Sequence, residues 1–292
     1  MSNLTNHPDS RHENDIKIVD SHAHFWDLKQ LDYPWLDQVP AIKQNFLTED
    51  YQSQSSGIPI NEIVFVQSDC SANQSLDEVD FVSNLSSIEP RIKAIVAHNP
   101  IDNVSKAING LKELNKNPLV RGIRCMFDDS SRFLAADSIQ VLRMLPDYDY
   151  SFDICINFCD VSTVVKMIEQ CPDTRFIIDH LAKPAIKDGQ FEQFKVGLSQ
   201  LAAFPNVSAK ISGLITEAGK DWTADDLQPY VAFSVEHFGF ERLMFGSNWP
   251  VVLINGTFKD WYETITKFMN PYSIEENDQF FRGTARSVYR LE

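Results

Sequence analysis

The sequence predicts an α/β chain closed into a (β/α)8 TIM barrel, and three observations point there. Eight apolar runs rich in Val, Ile and Phe recur along the chain, longer amphipathic segments separate them, and several runs end in a polar or charged residue. Continuous apolar runs mark parallel strands buried on both faces, and their alternation with helical patterns marks crossover helices. Residues that end such runs fall at the strand-end mouth, where barrels of this architecture carry their chemistry.

The first run, IKIVDSHAHF, spans residues 16–25, and EIVFVQSD (62–69), IKAIVAHN (92–99) and VRGIRCMF (120–127) follow. The second half supplies FDICINF (152–158), RFIIDHL (175–181), NVSAKISG (206–213) and RLMFGSNW (242–249). Between them SLDEVDFVSNLSSI, DNVSKAINGLKELNKN, VSTVVKMIEQC, FEQFKVGLSQLAAF and ADDLQPYVAFSVEHFG read as helices, several opening with a Ser or Asp suited to an N-cap. Residues 27–60 form a long first connection containing DYPWL, and IEENDQFFRGTARSVYR reads as a final helix. An open doubly wound sheet is the alternative, but it usually has fewer strands and a Gly-rich phosphate loop after the first, which this sequence lacks. With no Pro/Gly/Ser-rich linker and no internal repeat, residues 17–292 read as one domain behind a flexible polar arm, residues 1–16.

With 292 residues, 43% hydrophobic and 23% charged, the chain has the composition of an ordinary globular protein. Its 41 Asp and Glu outnumber 26 Lys and Arg, and the resulting net charge of -15 argues against nucleic acid or an anionic membrane as partner. An anionic substrate would have to be met by local cations, and Arg124, Lys183 and Lys210 stand near strand ends. The opening MSNLTNHPDSRHEND lacks the apolar centre of a signal peptide, and no run of about 18 apolar residues occurs, so the expected compartment is the cytoplasm. Five cysteines (Cys70, Cys125, Cys155, Cys159, Cys171), an odd number without tight paired spacing, read as reduced and mostly buried thiols.

The chemistry is expected where the runs end. His22 and His24 close the first run, and strand alternation directs both side chains the same way, so two imidazoles can share one ion. A lone histidine there would read as a hydrogen-bonded core residue; the His-x-His pair favours ligation. The sixth run brings His180 to a strand end as a third imidazole, with Lys183 three residues on. His98 ends the third run, where lining the pocket and simple packing are both open. Arg124 would aim a planar donor fork at a carboxylate or carbonyl, and a structural ion pair explains it nearly as well. Asn248 stands at the eighth mouth position with Trp249 beside it; an amide exchanges hydrogen bonds but does not remove a proton from water. Glu217, in the loop after the seventh run, is a candidate base or a solvated loop carboxylate. Trp26, Trp35 and Trp249 are candidates to stack on a sugar face or to pack the loops.

Taken together, IVDSHAHFWD followed by YPWL, then VRGIR, FIIDHLAKP, KISGLITEA, ERLMFGSNWPV and GTARSVY, resemble the amidohydrolase-related family of the amidohydrolase superfamily. The likeness runs from residue 17 over nearly the whole chain and is nearest the branch of L-fuconolactonase-like, L-rhamnonolactonase-like and pyrone dicarboxylate lactonase-like enzymes. It implies a single amidohydrolase-related barrel domain with its site built from His22, His24, His180 and position 248. Where the family pattern has Asp in GSDWP, activating the attacking water, this chain has Asn248. Many amidohydrolases also add a fifth-strand His and a fourth-strand Lys or Glu, whereas Asn157 and Arg124 stand here. Three imidazoles remain enough to hold a divalent metal such as zinc and leave a position for water.

The expected activity is therefore hydrolysis of a sugar-acid lactone, with Arg124 or a metal polarising the ring carbonyl and His180, Glu217 or a metal-activated water supplying the base. A reactive lactone tolerates loss of the position-248 carboxylate better than an amide would. Two other classes stay open: a metal-dependent decarboxylase of an aromatic or unsaturated acid, and a silent binding protein that lost its base. A homodimer suits such barrels, though no residue of the sequence points to one.

Overall fold

In a computed structural model, residues 17–292 are described; the proposed arm, 1–16, lies outside them. Eight parallel strands follow chain order around the sheet: β1 Ile18–Ala23, β2 Ile60–Val66, β3 Ile92–His98, β4 Val120–Arg124, β5 Ser151–Ile154, β6 Arg175–Ile178, β7 Val207–Ile211 and β8 Leu243–Phe245. All eight fall within or beside the apolar runs read from the sequence. The sheet is nearly closed, and the last gap is bridged just beyond β8. There the Asn248 N–H donates to His22 O at 2.8 Å, the His24 N–H donates to Trp249 O at 2.8 Å, and Ser21 Oγ donates to Phe245 O at 2.6 Å.

Each strand leads into a helix on the outside, and the five segments read as helices from the sequence appear as Ser75–Ile88, Val104–Leu114, Val161–Glu169, Phe191–Ala202 and Ala224–Phe238. Three further helices follow β1, β4 and β8: Thr48–Gln54, Ala136–Leu142 and Phe258–Met269. The last has its N-terminus fixed by a reciprocal Thr257–Asp260 cap, a signal the apolar pattern alone does not display. The tail is not one helix, because a π-helical turn, Gln279–Gly283, divides Ile274–Asp278 from Thr284–Tyr289. Among the described residues no helix is long and apolar enough to cross a membrane.

The larger apolar core lies between sheet and helices. A smaller one fills the barrel with Val19, Val64, Val66, Ala94, Val96, Ile177 and Met244, and Ala285, Tyr289 and Leu291 of the tail close it from below. Branched side chains filling the centre make the barrel a packed solid rather than a pore, so chemistry is confined to its ends. Of the five free thiols, Cys70, Cys125 and Cys171 are buried, Cys155 is half-buried and Cys159 is exposed.

Candidate active site

A cavity of 250 Å³ opens at the C-terminal ends of the strands, bounded by His24, Trp35, Arg124, Cys155, His180, Lys183, Glu217 and Asn248 among others. That is near the lower edge of the about 300–1,000 Å³ common for ligand sites, a size for a small molecule.

The two histidines of β1 and the turn after it do meet: His22 Nε2 and His24 Nε2 lie 3.1 Å apart. His24 Nδ1 is 2.7 Å from Val66 O, which only accepts, so Nδ1 carries the proton and Nε2 accepts from His22. His22 Nδ1 is then the acceptor for Lys210 Nζ at 3.2 Å. The third imidazole, His180, lies tilted against His22 with ring centroids 4.4 Å apart; its Nδ1 is tied to Ser212 Oγ at 2.8 Å, and among the described residues its Nε2 has no hydrogen-bond partner. Burial holds all three imidazoles below their ordinary range, His24 at about 3 with help from Arg124, so they are neutral at neutral pH.

The chain reaches this arrangement through unusual backbone. His180, Leu181, Ala182 and Lys183 all have positive φ, between 48° and 61°, which makes a left-handed turn directly after β6. Each such non-glycine residue costs on the order of 1–2 kcal/mol, a strain that surrounding packing must hold. Gly213 packs beneath it at φ +68°, where a Cβ would stand 2.8 Å from His180 Nδ1. Asn248 is also left-handed, at φ 57°, a conformation its short amide tolerates, and it presents its side chain to the cavity.

Beneath the imidazoles lies a charge network that the sequence reading did not single out. Lys210 Nζ donates to Asp153 Oδ2 at 2.6 Å and lies 3.0 Å from Asp179 Oδ1, and all three side chains are wholly buried. Arg124 Nη1 donates to Asp179 Oδ2 at 3.0 Å and Nη2 to Gln67 O at 2.5 Å. Burial alone would raise the Asp179 carboxyl, but Lys210, His22 and Arg124 outweigh it and hold it well below the usual carboxylate range. At Asp153 burial wins instead, and its carboxyl is raised. Tyr289 donates to Asp153 Oδ2 at 2.7 Å from below. A separate buried carboxylate, Asp20, accepts from the Ser247 hydroxyl at 2.5 Å and Tyr51 at 2.8 Å, anchoring β1 to the eighth-strand loop.

Several sequence expectations need correction. Lys210 does not face the cavity as a cation for substrate, because it is consumed by Asp153 and Asp179. Trp26 and Trp249 are fully buried and do not bound the cavity. Trp26 packs on Trp35 and Phe46, and Trp249 on Phe25, Phe46 and Tyr51, since large rings between long loops gain more from burial than from exposure. Trp35, whose Nε1 donates to Ser68 O at 2.8 Å, is the indole at the mouth. His98 ends β3 half-buried, outside the cavity wall. Lys183 and Glu217 do share that wall. Lys183 is held above its ordinary value first by neighbouring Cys155 and also by Glu217, while burial raises Glu217 against the pull of Lys183.

His22, Asp179 and His180 form a cluster of metal-type donors, with one atom from each within 4.8 Å of the others. On the Asp179 side that space is already held by Lys210 and Arg124. On the cavity side the fit is better, because nitrogens about 2.0–2.1 Å from one tetrahedral ion would stand about 3.3–3.4 Å apart, close to the 3.1 Å between His22 and His24. Moving the His22 proton to Nδ1 would free its Nε2, and Asp179 Oδ1 lies 3.2 Å from Nδ1 to accept it.

A barrel with imidazoles, a guanidinium and an amide converging on one small mouth defines a class of hydrolase-type sites, and comparison with known proteins places the chain within it. Residues 19–291 match the amidohydrolase family model, and the chain belongs to that family. It is 30% identical over 286 residues to an L-fucono-1,5-lactonase of Burkholderia ambifaria, covering 94% of this chain and 96% of that protein. It is 21% identical to an L-rhamnono-gamma-lactonase of Scheffersomyces stipitis over 94% and 96% of the two chains. An amidohydrolase from Burkholderia multivorans, solved with bound zinc, superposes with a TM-score of 0.84 at 26% identity over 94% of this chain and 99% of that one.

Proposed function

We propose that the protein is a lactonase that opens the ring ester of a sugar-acid lactone with water. The observation that carries this reading is His180, a neutral imidazole with its Nε2 free of hydrogen-bond partners among the described residues, on the same cavity as Arg124, Lys183 and Asn248. With Nδ1 held by Ser212, His180 Nε2 takes a proton from water, and the oxygen adds to the ring carbonyl carbon. Negative charge gathers on the carbonyl oxygen, where the fixed cations Arg124 and Lys183 stabilise it. The ring C–O bond then breaks and the His180 proton passes to the departing oxygen, leaving an open hydroxy acid. Asn248 and Glu217 serve the sugar hydroxyls by hydrogen bonding, and Trp35 offers a face to the ring. The lactonases among the chain's relatives support this substrate class.

His22 and His24 would hold a divalent ion such as zinc. When bound, it supplies Lewis-acid charge beside the carbonyl. Equilibrium dialysis of the purified protein against zinc reads this independently of turnover: the native chain should retain the metal and His24→Ala should not, and equal zinc content in the two would remove the ion from this place.

The activity itself is tested by acid release from a panel of aldono-1,4- and 1,5-lactones, with Asn248→Asp run in parallel. The native chain is expected to exceed the spontaneous rate clearly. Failure of the native chain together with activity in Asn248→Asp would mean that this protein binds such ligands without turning them over.

A further inference from the structure

At the opposite, N-terminal end of the barrel, positive charge gathers in an otherwise acidic protein. Arg121 near the start of β4, Arg175 at the start of β6 and Arg290 after the last helix come together around the loop before β5. A cavity of 190 Å³ lies there, bounded by Arg121, Arg290, Tyr148, Asp149, Tyr150 and Asn117 among others. The carboxylate shown to pair with this cluster is Asp149, which accepts from Arg175 Nη2 and lies 3.1 Å from Arg290 Nε. Among the described residues Arg121 forms no salt bridge, and its Nη1 donates to Pro118 O at 2.5 Å.

The simplest account of three arginines here is a staple that ties the tail to the barrel. Part of the cluster does this: Arg290 Nη2 donates to Arg121 O at 2.5 Å and Nη1 to Val288 O at 2.6 Å. The staple leaves other groups unused. Arg121 Nε, Arg175 Nε and the hydroxyl of Tyr150, a residue only 3% exposed, are buried without a hydrogen-bond partner among the described residues. Leaving a buried donor unsatisfied costs the full desolvation of that group, more when it is charged. Burial, then the neighbouring Arg175, bring even Arg290 down to about 10, with Asp149 only partly offsetting them. Arg175 stands outside the cavity wall, but Arg121, Arg290 and Tyr150 on that wall, two cations and two orphaned donors, call for an acceptor with several oxygens and negative charge.

We propose that this cavity is a binding site for a small oxyanion of phosphate or carboxylate type, held by Arg121 and Arg290 with the Tyr150 hydroxyl as donor. The bound anion cross-links the tail to β4 and the loop before β5, so its effect is read as stability.

The test is the thermal unfolding midpoint of the full chain at fixed ionic strength in inorganic phosphate, malonate or chloride. Saturating phosphate or malonate should raise the native midpoint over chloride by an amount on the order of 5 °C. The rise should vanish in Arg121→Gln, shrink in Tyr150→Phe, which deletes one hydroxyl only, and persist in Lys183→Met, which alters the active-site mouth instead. A response to phosphate alone or to malonate alone supports the site and identifies its anion. No rise with either anion overturns the proposal, as does a rise that survives both Arg121→Gln and Tyr150→Phe. Survival in those two with loss in Lys183→Met would assign the anion to the active-site mouth.

Discussion

Lys210→Met is expected to destabilise the protein by about 3–5 kcal/mol, because it keeps the apolar stem and deletes the cation between two wholly buried carboxylates. For a chain of this length each kcal/mol moves the midpoint by roughly 2–4 °C, so the loss is on the order of 10 °C. Its pH dependence has a definite sign. Asp179 in the folded protein ionises below its ordinary value, so it contributes stability above that value, and the contribution is lost as pH falls through the folded one. Lys210 leads the groups that produce the lowering, so the variant loses most of this contribution. The deficit should be largest at neutral pH and narrow as the pH falls toward the carboxylate range. Denaturant unfolding of native and variant proteins at pH 7.5 and at about pH 3, below the ordinary aspartate value, measures it, and a deficit below about 1 kcal/mol at pH 7.5 would show that the network is not held by the lysine.

The second large effect is on turnover. His180→Ala should lower kcat/KM for the best lactone by about 10²–10⁴, the contribution of a positioned base, with the fall mainly in kcat. Glu217→Gln is the comparator, since Glu217 shares the cavity wall, as Asp69 does, and its carboxylate is able to accept a proton from water. Added imidazole should restore part of the His180→Ala activity, an outcome that loss of packing alone would not produce. A loss below tenfold in His180→Ala, or a far larger one in Glu217→Gln, would move the base away from the sixth strand.

The architecture was legible because strands buried on both faces must be apolar, and eight such runs alternating with helical patterns leave few folds to choose from. His22, His24 and His180 were legible because polar residues ending such runs are placed by the barrel itself. Of the charged layer beneath them the sequence yields Lys210 as a strand-end cation and Arg124 with a structural ion pair as one of its two readings, but not their carboxylate partners, although the signal is visible: Asp20, Asp153, Asp179 and Lys210 each interrupt or end an apolar run, where an unpaired charge would be prohibitive. What no local pattern supplies is the pairing. Lys210 meets Asp153 across 57 positions and Arg124 meets Asp179 across 55, contacts made only when the sheet curls. The indoles were lost for the opposite reason. Trp26 and Trp35 stand in the same polar-apolar context, and the antiparallel pairing of Trp26 with Phe46 in the first connection decides which is covered. The helices after β1 and β4 went unread because each is only 7 residues long, too short for an amphipathic repeat to show.

Tyr289 gives the barrel floor a timing. The carboxylate its hydroxyl donates to, on Asp153, is made 136 positions earlier, and the last strand is complete by Phe245. A ribosome therefore releases all eight strands while the floor is still missing, with Asp153 and Lys210 open to water from below. The catalytic end takes its final charge balance only when the opposite end is sealed, so a nascent or clipped chain can carry every side chain of the mouth and still be unfinished.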